Sequence, residues 1–126
     1  MRLILLIASG SALGGVARYW LSGLVASRIG ETFPWGTLFI NVLGSAVIGA
    51  LAAFGDSGRV GLSTDARQFL MVGLCGGFTT FSSFSLQTLR LLQDGDWLRA
   101  FANVLLSVVL CLAAVALGYW LARLAD

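Results

Sequence analysis

The chain has 126 residues, of which 58% are hydrophobic and 11% are charged, and its formal net charge is +2. A soluble domain usually carries about 25% charged residues, so this composition excludes an ordinary soluble fold. Together with a mean hydropathy of +0.90, it predicts an integral membrane protein. Because the chain has no histidine and no acidic residue inside an apolar stretch, we do not expect an enzyme. Nothing in the composition indicates a nucleic-acid partner.

Four apolar stretches are long enough to cross a bilayer, which takes about 20 residues per helix. The predicted helices cover about residues 3–25, 35–54, 69–92 and 100–121. Only short loops are left over, so residues 1–126 are predicted to form a single four-helix transmembrane domain. We therefore expect an all-α, multi-pass membrane protein that is embedded in the lipid bilayer.

The first span carries Gly10 and Gly14 four residues apart, and Gly73 and Gly77 repeat this spacing in the third span. Such pairs predict close helix packing and carry no function by themselves. Arg18 lies toward the end of the first span and has two interpretations. It is either an interfacial arginine whose head reaches the lipid headgroups, or a cation at a pore mouth that raises the local anion concentration.

The arginines are divided almost evenly between the two sides of the membrane. If the N-terminus is cytoplasmic, that side holds Arg2, Arg59, Arg67 and Arg123, and the other holds Arg28, Arg90 and Arg99, or four with Arg18. Membrane orientation follows the asymmetry of such charges near the helix ends, and here the asymmetry is very small. Two interpretations stay open: one orientation fixed by a weak bias, or dual insertion that produces antiparallel dimers.

Asn41 lies in the middle of the second span, where its amide must find hydrogen-bonding partners. Its amide either forms a hydrogen bond that joins two helices or lines a pore as a donor. Thr37 precedes it by one turn and shares its face, as Asn103 shares a face with Ser107 in the fourth span. Cys111 continues that face. These rows predict a ladder of donors across the membrane.

Three glycines, Gly73, Gly76 and Gly77, fall within five residues of the third span. Irregular backbone at membrane depth is tolerated only where protein or a water-filled cavity covers it. We therefore predict a break at about residues 76–80 that divides this span into two half-helices. Half-helix ends and unwound carbonyls recur as ion ligands near the bilayer midplane, so the break predicts an ion site.

Polar side chains are unusually dense after the predicted break. Seven of the ten residues from position 79 to position 88 are polar: Thr79, Thr80, Ser82, Ser83, Ser85, Gln87 and Thr88. A hydroxyl in a membrane helix often bonds to the carbonyl four residues earlier, which accounts for one or two of them. We predict that the remaining hydroxyls extend the ladder of donors.

Phe81 and Phe84 are three residues apart, so they lie on one side of the second half-helix. Core packing or lipid contact is the ordinary interpretation of such residues. The alternative follows from the aromatic ring, whose edge carries a partial positive charge. Two ring edges beside hydroxyl and amide donors would form an anion site without a fixed charge, and such a site binds weakly enough for an ion to leave.

The motif GGFTTFSSF, from Gly76 to Phe84, makes the chain resemble the small bacterial fluoride channels known as the Fluc or CrcB family. Other matches are Gly14-Gly15 with Arg18-Tyr19 in the first span, and Trp35-Gly36-Thr37-Leu38 leading to Asn41 in the second. The resemblance covers nearly the whole chain. It implies an antiparallel, dual-topology homodimer with two fluoride pores and a structural sodium ion at the dimer centre.

The resemblance also implies roles for individual residues. Sodium would be bound by the backbone carbonyls of Gly76 and Thr79 from each subunit. The pore would be lined by Asn41, Thr37, Ser83, Ser107, Phe81 and Phe84. Three positions depart from the family pattern: Ser83 where some relatives carry threonine, Cys111 where a serine can occur, and Asn103 where an aromatic or another residue is expected. Our candidate for the pore mouth is Arg18.

We therefore predict a fluoride-selective channel in the bacterial inner membrane that exports fluoride passively and gives fluoride resistance. Fluoride would enter acidified cells as HF, dissociate, and leave as the anion down the membrane potential. A small multidrug-type proton-coupled exporter also has four spans and dual topology, but that class requires an intramembrane carboxylate. A non-transporting membrane scaffold would account for the glycine pairs but not for the clustered hydroxyls.

Overall fold

The computed structural model describes residues 1–57 and 61–125. Its helices are α1 (Arg2–Ile29), α2 (Trp35–Asp56), α3 (Thr64–Arg67), a π-helical stretch (Gln68–Cys75), α4 (Gly76–Phe78), α5 (Phe81–Gln93) and α6 (Trp97–Ala125). The segments from α3 to α5 form one span, Thr64–Gln93. Within the described residues, four helices are thus long and apolar enough to cross a membrane. The prediction of an all-α, multi-pass membrane protein is confirmed.

The third span leaves helical geometry at Thr79 and Thr80. Thr79 has φ −82° and ψ 157°, and Thr80 has φ −152° and ψ 115°, so both are extended. The helix resumes at Phe81, where the Thr80 hydroxyl oxygen accepts the N–H of Ser83 at 3.2 Å and so caps α5. The glycines of the predicted break, at positions 76 and 77, are themselves helical.

The spans form two closely packed pairs. α2 lies along α6 with the most extensive contact in the described chain, and α1 lies along the π-helical stretch and α4. After the two extended residues, α5 packs mainly on α6. The third span therefore begins beside α1 and ends beside α6.

Glycines permit the close approach within both pairs. A Cβ added to Gly10 would lie 2.6 Å from the carbonyl oxygen of Phe69, which no real side chain tolerates. This contact confirms the close packing that the glycine pairs of α1 and the third span predict. Gly49 and Gly118 perform the same function between α2 and α6, where an added Cβ would overlap the facing backbone.

Apolar side chains cover the outside of the protein. Leu5, Val16 and Leu112 are each more than 60% exposed, whereas Ile40 is fully buried in the centre. A soluble protein would bury such residues, but lipid tails solvate them as well as a protein core does. α5 is the longest of these helices without a buried residue.

Candidate functional site

A groove of about 370 Å³ lies between α2, α5, α6 and the extended residues of the third span. We call it the central groove. Its wall brings together four of the predicted pore residues with six others: Asn41, Phe81, Phe84 and Ser107, then Ser45, Thr79, Thr80, Val108, Cys111 and Leu112. The wall is mostly apolar and presents a small number of hydrogen-bonding groups, as ligand sites usually do.

Asn41 holds the extended backbone of Thr80 with two hydrogen bonds. Its Nδ2 donates to the Thr80 carbonyl at 3.0 Å, and its Oδ1 accepts the Thr80 N–H at 2.8 Å. A residue outside a helix has lost its intrahelical partners, and a buried unpaired backbone group costs about 1–3 kcal/mol. The interpretation of Asn41 as a bond between helices is confirmed. An asparagine amide has two N–H groups, and the bond to Thr80 uses one of them. The role of the other as a donor to an ion in the pore stays a prediction.

Most hydroxyls of residues 79–88 are bonded locally. Three of them donate to the carbonyl four residues earlier at 2.8 to 2.9 Å, those of Thr79, Ser85 and Thr88. The Thr80 hydroxyl donates to Ser83 Oγ at 3.1 Å. Four of the hydroxyls that were predicted to extend the ladder of donors therefore donate within the third span, and the ladder stays a prediction for the other polar groups. These hydroxyls donate to backbone carbonyls, or to the Ser83 hydroxyl in the case of Thr80, because these acceptors lie within about one helical turn.

Phe81 and Phe84 lie side by side on the wall of the central groove, which confirms that they share a face. Their ring centroids are 5.2 Å apart and the ring planes are tilted by 46°. The Phe81 ring is unusually open, since the residue is 78% exposed. Little of this ring is covered by the described chain, and the edge of an aromatic ring is its positive part.

Thr37 does not reach the central groove. It lines a second cavity, of about 760 Å³, where α1 and α5 end and α2 and α6 begin. Gln87, Arg90 and Arg99 also line this end cavity, and Gln87 Oε1 is buried without a hydrogen-bond partner in the described part of the chain. Thr37 and Asn41, which were predicted to lie in one row, therefore line two different cavities, because α2 extends from the end cavity to the central groove.

Ser83 and Arg18 are absent from the described linings of both cavities. Ser83 is half-buried and engaged with the Thr80 cap. Arg18 is also half-buried in α1. The structure does not bring either residue to the central groove, so their roles in the pore and at its mouth remain predictions.

The predicted sodium ligands lie where α4 ends. A helix leaves its last four carbonyls without intrahelical donors, and Thr79 satisfies only that of Cys75, through its N–H at 3.0 Å and its hydroxyl at 2.9 Å. Gly76 is exposed. In residues 1–57 and 61–125, no backbone hydrogen bond outside the helices reaches the carbonyl of Gly76 or Thr79. The same residues contain no cluster of three His, Cys, Asp or Glu side chains.

Asn103, predicted to share a face with Ser107 in the ladder of donors, lies at the centre of a buried network in the structure. The residue is 2% exposed. Its Nδ2 donates to Thr88 Oγ1 at 2.9 Å, and its Oδ1 accepts from the Ser107 hydroxyl at 3.4 Å. The shared face of Asn103 and Ser107 is confirmed. Their spacing of four residues was enough to predict the shared face. Nothing in the sequence indicated that Thr88 on α5 would be the partner of Asn103.

Two ion pairs lie at the ends of the helices. Arg2 pairs with Asp65 at one end, and Arg99 pairs with Asp96 at 2.8 Å at the other. The Asp96 carboxylate also accepts the N–H of Arg99 at 3.2 Å, so it caps α6. Arg59, one of the arginines counted in the charge balance, is outside the described residues.

Residues 5–119 match the family described as CrcB-like protein, Camphor Resistance (CrcB). The chain belongs to the CrcB family. It is 63% identical over 116 residues to the fluoride-specific ion channel FluC of Rhodospirillum rubrum, covering 91% of this chain and 90% of the relative. Proteins of the same name from Opitutus terrae and Paramagnetospirillum magneticum are 60% and 61% identical, and the matches cover at least 90% of each chain. These names describe ion channels and not enzymes, as the sequence predicts.

Proposed function

We propose that this protein is a fluoride-selective channel that lets fluoride leave the cytoplasm passively and so gives fluoride resistance. Support comes from the CrcB family and from relatives 60–63% identical that are named fluoride-specific ion channels. The observation that carries the proposal is the central groove, where an interrupted helix brings Asn41 together with Phe81 and Phe84. The bacterial inner membrane is the proposed location.

The lining of the central groove is suited to an anion that loses its hydration water there and then leaves the site. Its described lining contains the Asn41 amide, the Cys111 thiol and the rings of Phe81 and Phe84, and no charged side chain. The hydroxyls of this lining donate their protons within the protein, so the amide, the thiol and the ring edges are the groups left for the ion. Fluoride is small and strongly hydrated, so each lost water must be replaced by a donor. Donors without a full charge hold the ion loosely, and conduction requires that an ion can leave its site.

An antiparallel homodimer of dual topology would complete the groove. Phe81 is 78% exposed and α5 has no buried residue, so one copy leaves this wall uncovered. A second copy packed over α5 would cover it and would produce two equivalent grooves. The nearly even distribution of arginines permits insertion in either orientation, which the antiparallel arrangement requires.

The proposed dimer also accounts for the predicted sodium ion. The carbonyl oxygens of Gly76 and Thr79 would bind it in both copies, and carbonyls at the ends of half-helices are recurrent sodium ligands. The bound ion would supply a positive charge that holds the two interruptions together. A melting temperature that is higher in NaCl than in N-methylglucamine chloride would support this site. Equal melting temperatures in the two salts would contradict it.

A proton-coupled exporter is the alternative function, and the described groove does not favour it. Carriers of that kind usually need a titratable side chain within the membrane. In the described chain no acidic residue lines the central groove. Asp56 and Asp65 lie at the ends of their helices, outside the apolar centre.

The deciding experiment uses purified protein in liposomes loaded with potassium fluoride or potassium chloride. Valinomycin is added to carry potassium, and ion-selective electrodes record the release of each anion, with protein-free liposomes as the control. We expect rapid release of fluoride and retention of chloride. Chloride release at the fluoride rate would overturn the selectivity. Drug efflux that depends on a pH gradient would favour the exporter.

A further inference from the structure

Asn103 is a buried polar side chain in α6 that the proposed conduction path does not use. It is 2% exposed, and its two ends are bonded to different helices. Nδ2 donates to Thr88 Oγ1 on α5 at 2.9 Å. Oδ1 accepts from the Ser107 hydroxyl, one turn further along α6, at 3.4 Å.

The hydrogen bonds around Asn103 all run in one direction. Ser107 donates to Asn103, Asn103 donates to Thr88, and Thr88 donates to the carbonyl of Phe84 at 2.8 Å. A hydroxyl has one proton, and Thr88 uses its proton in the bond to the carbonyl of Phe84. Toward Asn103 the Thr88 oxygen is therefore an acceptor. Both ends of the chain of bonds, Ser107 and Phe84, line the central groove. The network therefore passes behind the groove from one wall to the other.

The half-helix α5 has few other attachments. None of its residues is buried, and its N-terminus is held through Thr80. Within residues 1–57 and 61–125, the bond from Asn103 to Thr88 is the one side-chain hydrogen bond between α6 and α5. Apolar contact alone drives helix association weakly in lipid, where interhelical hydrogen bonds act as additional attachments.

We propose that Asn103 is a positioning residue for the anion path, because it ties α5 to α6 through Thr88 and so sets the separation of Phe84 and Ser107 across the groove. The inference rests on the proposed fluoride conduction. It concerns a residue that contacts the walls of the path and not the ion. Loss of the tie lets α5 move away from α6, and fluoride release becomes slower.

Four variants in the liposome assay test the tie: Asn103→Leu, Thr88→Val, Thr88→Ser and the double Asn103→Leu/Thr88→Val. Leucine and valine keep the approximate side-chain volume and remove the bond, whereas serine keeps the hydroxyl. We expect each single loss of the bond to slow fluoride release roughly fivefold, as for one net hydrogen bond. Thr88→Ser retains release within about twofold of the wild type. The double variant is no slower than the slower single, because both changes remove the same bond.

Hydrogen exchange of the backbone amides in residues 84–93 separates the tie from the proposed function, since it is measured without fluoride. Faster exchange in Asn103→Leu and Thr88→Val, but not in Thr88→Ser, supports the tie even if wild-type vesicles release no fluoride and the proposed function fails. If Asn103→Leu does not assemble, Thr88→Val carries the test. Unchanged exchange in Thr88→Val would overturn the inference, as would wild-type fluoride release by that variant.

Discussion

The side-chain amide of Asn41 forms two hydrogen bonds with the backbone of Thr80, a pair that we call the clasp. It replaces the helical partners that the N–H and the carbonyl of Thr80 lack. The bonds measure 3.0 Å and 2.8 Å, and they fasten α2 to the point where the third span stops being helical. The clasp holds the start of α5, and therefore Phe81, at the edge of the central groove. An asparagine of α2 thus determines where the aromatic wall of the groove begins.

Asn41→Leu removes both bonds of the clasp at nearly constant volume. We expect fluoride release to fall at least about tenfold, together with a loss of roughly 2 kcal/mol or more in stability from two unpaired backbone groups. Liposome efflux and thermal melting measure the two effects. The control is Ser9→Ala, since the Ser9 hydroxyl bonds only within α1 and lines neither cavity. Normal efflux from Asn41→Leu would show that the clasp is dispensable.

Phe81→Ile removes a ring edge from the groove and keeps an apolar side chain. If the edge replaces part of the hydration of fluoride, release should fall about tenfold or more, since isoleucine has no positive ring edge to offer the anion. Size-exclusion chromatography checks that assembly is unchanged. The same substitution at Phe101, which is 66% exposed on α6 and lines neither cavity, should leave release intact. Equal release by both variants contradicts a role for the Phe81 ring.

Gly14→Ala and Gly15→Ala form a matched pair in adjacent positions. A Cβ on Gly14 would overlap the carbonyl of Leu74 and lie 2.8 Å from the backbone nitrogen of Phe78, whereas a Cβ on Gly15 meets no atom within 4 Å. We expect Gly14→Ala to lower stability by about 1–3 kcal/mol, as overpacking usually does, and Gly15→Ala to melt like the wild type. Detergent-solubilised protein and a thermal melting assay are sufficient. Equal melting temperatures would mean that α1 can move away from the third span at little cost.

Cys111 gives chemical access to the groove. It lines the central groove and is half-buried, whereas Cys75 is 4% exposed. A small methanethiosulfonate reagent should slow fluoride release by the wild type and by Cys75→Ser, because the adduct occupies the groove. Release by Cys111→Ser should not respond to the reagent. Inhibition that survives in Cys111→Ser would place the reactive group elsewhere.

The number of membrane-spanning segments and their helical character follow from the sequence alone. Four apolar runs of sufficient length predict four helices, and the structure has them. The shared face of Phe81 and Phe84 and the close packing of the glycine pairs also follow from spacing. These features depend on the helical period and on local hydropathy, which short stretches of sequence contain.

The tertiary structure decided which polar groups meet. Gly77 is helical and packs on α1, where a Cβ would lie 2.5 Å from the carbonyl of Ser11, and the interruption falls after it, at Thr79 and Thr80. The sequence placed Asn41 correctly but could not name its partner 39 residues away. A hydrogen bond needs donor and acceptor within about 3 Å, and that condition depends on how the helices lie against one another rather than on the pattern within any one of them.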